Sequence, residues 1–66
     1  MYVEEIGGTA DLILDDVYID TLTIGGIGGN SKLTIKNSII ENVVGINLNS
    51  RNVEIEQSWV NGEWYD

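Results

Sequence analysis

An internal repeat of 20–21 residues covers almost the whole 66-residue chain and limits its fold more than any other feature. The step is 21 residues from Leu12 to Leu33 and 20 residues from Leu33 to Val53, because the third copy is one residue shorter. Short repeats are typical of solenoids, in which each unit buries its apolar side against its neighbours. The chain is therefore predicted to be a stack of three similar units.

Apolar residues alternate with a period of two inside each copy, which indicates β-strands rather than helices. In the first copy the alternating segments are Leu12–Leu14, Val17–Ile19 and Leu22–Ile24. The predicted core consists of nine inward-facing residues from the first two strands of the copies: Leu12, Leu14, Ile19, Leu33, Ile35, Ile40, Val53, Ile55 and Val60.

Turn-compatible residues separate the predicted strands. Asp15-Asp16 and its counterparts form polar two-residue joints, and Gly7-Gly8 marks a wider corner where a positive φ is expected. Three strands and three corners per repeat predict an all-β fold, a right-handed parallel β-helix (β-solenoid) of about three rungs. A small sheet of antiparallel hairpins is the alternative, but only Asn61-Gly62 has the sequence of a tight hairpin turn.

The ends of such a stack need caps, because the terminal rungs expose unpaired backbone groups. Met1–Val3 and Trp64-Tyr65 are the candidate caps. The predicted organisation is an N-terminal cap over residues 1–5, a β-helix over residues 6–62, and a C-terminal cap or tip over residues 63–66.

Composition excludes several sources of stability and function. The chain has no Cys and no His, so disulfides, zinc ligation and imidazole or thiolate chemistry are absent. A chain this short buries only about 60% of its unfolded surface, and small scaffolds of this kind commonly oligomerise. The net charge of −8 argues against nucleic acid and anionic membranes as partners. No apolar run is long enough for membrane insertion.

One outward column is apolar where a monomer should be polar. It consists of Tyr18, Ile39 and Trp59, and the inward neighbours on the same strands are apolar as well. A strand that is apolar on both faces needs to bury both. These three residues and Val44 are therefore the predicted interface of a homo-oligomer. The alternative is that Met1–Val3 folds over the column as a cap.

Carboxylates provide the only candidates for catalysis or metal binding. A β-helix could bring Asp15-Asp16, Asp20 and Glu41, with Lys36, within reach of one another, but three short rungs offer no walled cleft that would perturb the pKa values of these carboxylates. Their spacing is not that of an EF-hand, and the glycine-rich stretch 25–30 is explained better by corners than by calcium binding. We expect no enzyme activity and no cofactor, while calcium binding stays open.

The aromatic residues near the C-terminal end suggest one further ligand. Trp59, Trp64 and Tyr65 are able to stack on sugar rings, and Trp64 and Tyr65 are the candidate contacts for a cell-surface carbohydrate. Burial as anchors or as a cap explains the same residues.

The stretch LTIKNSIIENV (residues 33–43) resembles a rung of the pectate-lyase-like parallel β-helix. Short trimeric modules of this type occur in the tail spikes, fibres and attachment proteins of phages and large viruses. The resemblance covers residues 6–62 and implies a homotrimer that serves as a structural or attachment element, with no catalytic residue carried over. The alternatives are a carbohydrate-binding module and an amyloid-type solenoid. The start of the chain has no signal-peptide pattern, so the expected location is the virion, or otherwise the cytoplasm.

Overall fold

The computed structural model describes residues 1–66 and contains β-strands as its only regular elements. The eight strands are β1 (Tyr2–Val3), β2 (Asp11–Asp15), β3 (Tyr18–Ile24), β4 (Lys32–Lys36), β5 (Ile39–Val44), β6 (Val53–Glu56), β7 (Ser58–Val60) and β8 (Glu63–Tyr65). The prediction of an all-β fold is confirmed. No helix is present that could span a membrane.

The strands form two sheets, and each copy of the repeat contributes one strand to each of them. One sheet has the order β2-β4-β6, and the other has the order β1-β3-β5-β7-β8. All neighbours are parallel except β7 and β8. Leu12, Leu33 and Val53 are successive partners, so the repeat step read from the sequence is the register of the sheet.

The second and third strands predicted for each repeat are one continuous strand in the first two copies, which corrects the prediction of separate strands. Within β3 and β5 the paired register skips Asp20 and Glu41. Asp20 and Thr21 lie between inward Ile19 and the fully buried Leu22, so the alternation is interrupted by one residue at this point. Because both strands skip one residue at the same place, they bend together without a turn and stay paired on both sides of the bend.

The core lies between the two sheets. Eight apolar residues are buried: Ile6, Leu14, Leu22, Ile24, Leu33, Ile35, Ile40 and Val60. Of the nine predicted core residues, Leu12, Ile19, Val53 and Ile55 are half-buried and pack against this cluster. Val53 and Ile55 belong to β6, which lies at the edge of its sheet, so no further strand covers them. Ile6, Leu22 and Ile24 are also buried in the core, although they were not among the nine predicted core residues.

Each polar joint between the sheets places a residue other than glycine in the left-handed region. Asp16, Asn37 and Gln57 have φ values of 58°, 51° and 46°. The residue that follows turns inward, and in the second and third copies it is a buried serine, Ser38 or Ser58. The serine hydroxyls form hydrogen bonds with backbone groups that have no partner strand at the sharp corner.

The wider corner combines glycine with hydrogen bonding by a serine. Gly8 and Gly29 have φ values of 64° and 63°, as expected for the paired glycines. Ser31 is buried, and its hydroxyl accepts a hydrogen bond from the N–H of Gly28 and donates one to the carbonyl of Ile6 at 2.8 Å. The third copy has Asn49-Ser50 in place of the paired glycines and no positive φ there, and it closes with a bond from the Ser50 N–H to the Asn47 carbonyl.

The two ends of the array are covered differently. β1 adds to the outer edge of β3, where Tyr2 pairs with Thr23 and Val3 with Ile24. It therefore does not fold over Tyr18, the alternative considered from the sequence. At the other end, the chain reverses after Val60 and β8 pairs with β7 in antiparallel orientation.

Candidate functional site

Four large apolar side chains form a row on the outer face of the five-stranded sheet. We call this row the apolar ladder, and it consists of Tyr18, Ile39, Trp59 and Trp64. Each is the direct cross-strand partner of the next. Their exposed fractions are 64%, 46%, 41% and 59%. Because neighbouring strands lie about 4.8 Å apart, the row is a continuous apolar strip about 14 Å long.

Trp64 is the member of the ladder that sequence reasoning missed. It was expected at a terminal cap, but a two-residue turn at Asn61-Gly62 folds it back beside Trp59. The turn residues have φ values of 54° and 87°, and two positive values define a type I′ hairpin. The Asn-Gly sequence was the signal that could have placed Trp64 there.

Tyr65 does not join the ladder, although it was paired with Trp64 as a possible sugar contact. Successive residues of a strand point to opposite faces, so Tyr65 turns towards the core and is half-buried against it. Burial is the main reason that the pKa of Tyr65 is raised, and the nearby Glu63 carboxylate adds to it. The structure therefore separates Trp64 from Tyr65.

Val44 lies apart from the ladder. It is exposed by 52%, but it follows the bend in β5, and its partner is Thr23 rather than a ladder residue. Thr23 in turn pairs with Tyr2, which is 70% exposed. Tyr2, Thr23 and Val44 form a second outward column on the other side of the bend, so Val44 and Ile39 do not form one flat surface.

Acidic residues border the ladder at the end where Tyr18 lies. The Tyr18 hydroxyl donates a hydrogen bond to Glu41 Oε2 at 3.4 Å. The Glu41 charge is the largest cause that raises the pKa of Tyr18, followed by partial burial and the charge of Asp20. The phenol is therefore a neutral donor at physiological pH, next to an acceptor surface of carboxylates.

The remaining carboxylates are dispersed. Asp15 accepts a hydrogen bond from Asn37 at 3.2 Å, at a corner between the sheets, and Asp11 accepts one from Thr34 at 3.4 Å on β4. No group of three or more acidic side chains converges as metal ligands would. Asp20 and Glu41 both act on Tyr18, but no such group brings them together with Asp15 and Asp16.

A cleft of about 590 Å³ opens at the end of the array where β8 lies. Its apolar lining residues are Val43, Ile46, Leu48 and Tyr65, and its polar rim includes Asn61 and Glu63.

Comparison of the chain with models of known families, with curated proteins and with solved structures gives no significant match.

Proposed function

We propose that this chain is a non-catalytic structural module, a three-rung parallel β-helix that associates with copies of itself through the apolar ladder. A homotrimer in a viral or phage spike or fibre is the proposed assembly, on the strength of the resemblance of residues 33–43 to β-helix rungs. The observation that carries the proposal is the register that lines up Tyr18, Ile39, Trp59 and Trp64 on one exposed face.

The ladder supplies what a short chain lacks. Only eight apolar residues are buried within the single chain, whereas the ladder holds four of the largest side chains partly in water. Covering a large apolar side chain completely contributes about 1.5–3 kcal/mol, and aromatic residues are the usual anchors of interfaces. Association through the ladder therefore stabilises both the assembly and the fold.

The experiment measures molar mass by light scattering over a range of concentrations. We expect the wild-type chain of 7.3 kDa to form a species of three chains. Ile39→Glu should abolish that species, because it places a charge in the middle of the ladder. The matched control is Ile13→Glu, since Ile13 is 55% exposed on the opposite sheet and lies outside the ladder. A monomeric wild type, or equal effects of the two substitutions, would refute the proposal.

A carbohydrate-binding role is the second candidate function. It is favoured by the exposed pair Trp59 and Trp64 at one end of the ladder. At the other end, the Glu41 carboxylate and the Tyr18 hydroxyl offer hydrogen-bond partners for the hydroxyl groups of a sugar chain that lies along the ladder. In this case the wild type would remain a monomer, with the ladder free for its ligand. Trp64→Ala would then abolish binding on a glycan array, whereas Tyr2→Ala, which removes an exposed aromatic residue elsewhere, would leave it intact.

A further inference from the structure

The two ends of the strand array are complementary in shape. At one end, β1 protrudes as an extra strand beside the second half of β3, where its partners are Thr23 and Ile24. At the other end, the corresponding half of β5 has no strand, because β7 pairs only with Ile39 and Ile40. A strand-sized segment is present at one end and missing at the other.

The missing strand leaves a recess with apolar walls, where no strand pairs with the backbone of β5. The N–H of Val43 points into it and is bound at 3.0 Å by the side-chain oxygen of Asn61 rather than by a strand. Val43, Ile46 and Leu48 line the recess and pack against the core from its open side. Such an edge accepts an added strand through main-chain hydrogen bonds.

The outer edge of β1 is also free. Met1 and Val3 make the bonds to the β3 side: their carbonyls accept from the N–H groups of Thr23 and Gly25, both at 2.9 Å. Since successive residues of a strand direct their N–H and C=O groups to opposite sides, those of Tyr2 point away from β3. Within one chain, Tyr2, Thr23 and Val44 are successive partners in one column. Tyr2 of a second copy, placed beside Val44, would continue that column with the same spacing.

We propose that the recess beside Val43 is an acceptor for β1 of a second copy of this chain, which would join the copies head to tail. We also propose that β8 prevents this joint from forming. In the joint the N–H of Tyr2 in the second copy meets the Val43 carbonyl. The column of Thr23 and Val44 then continues from one copy into the next. This joint is separate from association through the ladder, because it uses the ends of the array and not its face.

The position of β8 explains why the joint does not form in the wild-type chain. A second copy in register would bring its β3, starting at Tyr18, against the edge of β7, but β8 already pairs there through Trp64 and Tyr65. Tyr65 also lines the recess. Acidic residues at both ends add repulsion that salt screens: Glu4, Glu5, Glu63 and Asp66. An antiparallel last strand therefore ends a stack that parallel pairing would otherwise extend.

Gly62→Val in the full chain tests the proposal, because a β-branched residue disfavours the positive φ of 87° on which the hairpin depends. We expect its mass by light scattering to increase with concentration without a plateau. Gly28→Val is the matched control, since a Cβ there meets open space and φ is not positive. It should keep the finite mass of the wild type. Gly62→Ala, which strains the turn less, should give intermediate growth.

A second substitution identifies the joint. Adding Tyr2→Pro to Gly62→Val removes the N–H that faces the recess, at an edge position where proline is tolerated, and should stop the growth. Growth that persists with Tyr2→Pro would show that β1 is not the donor. A Gly62→Val chain that stays folded by circular dichroism with a finite mass would overturn the proposal. So would unfolding of both Gly62 variants, since β8 would then be needed for the fold itself. The ladder interface is tested separately, by the molar mass of the Ile39→Glu single variant.

Discussion

The hydroxyl of Ser58 accepts a hydrogen bond of 3.0 Å from the backbone N–H of Ser38, one repeat away. It also donates a bond of 2.7 Å to the carbonyl of Glu56. The Ser38 hydroxyl repeats the arrangement one step further, with Val17 N–H and the Lys36 carbonyl as its partners. Stacked serines thus hydrogen-bond the backbone groups at the corner between the two sheets.

Ser58→Ala should destabilise the fold by about 1–3 kcal/mol, because it leaves the Ser38 N–H without a partner in a buried place. The Glu56 carbonyl keeps its bond from the Asn37 N–H. The measurement is the free energy of unfolding in urea. Thr34→Ala, which removes an outward hydroxyl from β4, is the control and should change stability by less than about 0.5 kcal/mol. Equal effects would mean that water replaces the hydroxyl at the corner.

Gly45→Ala should destabilise the chain by about 1–3 kcal/mol. A Cβ at this position would lie 2.1 Å from the carbonyl oxygen of Ile24, and the residue has a φ of 99°. Gly28→Ala has neither problem and should be neutral or stabilising by up to about 1 kcal/mol, since alanine restricts the unfolded chain. Thermal unfolding of both variants checks the difference in sign. Similar midpoints would show that the backbone near Ile24 relaxes at little cost.

The parts of the fold that follow from alternation and spacing were predictable from the sequence. The step from Leu33 to Val53 gave the register of β4 and β6, and the period of two identified Ile35 and Ile40 as inward residues. The apolar column of Tyr18 and its neighbours was predictable for the same reason. Each of these inferences needs only the residue types and the identity of the strands.

The parts that were missed depend on backbone geometry between the periodic segments. Two successive outward residues, Asp20 and Thr21, look like a break between strands, but the chain bends there and stays paired on both sides. Asn61-Gly62 has a hairpin sequence, but the repeat favoured parallel stacking throughout, so the return of β8 to β7 was not predicted. A parallel continuation would place the charged Glu63 in the inward column of Val43, which disfavours it.

Gln57 is the least suitable residue among those in the left-handed corner column. Its counterparts are Asp16 and Asn37, whose short side chains tolerate positive φ better than glutamine does. Gln57→Asn should therefore stabilise the fold by a few tenths to about 1 kcal/mol, and the β-branched Gln57→Thr should destabilise it. Urea unfolding of the two variants provides the ranking. A reversed order would show that side-chain contacts, not the left-handed backbone, determine the preference at this corner.

The charge of Glu41 beside Tyr18 makes stability depend on pH at the alkaline end. The pKa of Tyr18 is raised above its ordinary value of 10.0 in the folded chain, chiefly by the Glu41 charge. A raised pKa means that the folded state holds its proton more tightly than the unfolded state does. The corresponding stability is complete below the ordinary pKa and is lost as the pH rises through the folded value.

Glu41→Gln should lower the pKa of Tyr18 towards its ordinary value and reduce the alkaline loss of stability. Tyrosinate absorbance reports the titration of Tyr18 directly when Tyr2 and Tyr65 are replaced by Phe. Glu63→Gln is the matched control in that background, because Glu63 raises the pKa of Tyr65 and is not among the charges that raise the pKa of Tyr18. If the two substitutions shift the titration equally, the effect comes from the net charge of the chain. If only Glu41→Gln shifts it, the charge beside the apolar ladder is local, and it remains available to a partner that binds there.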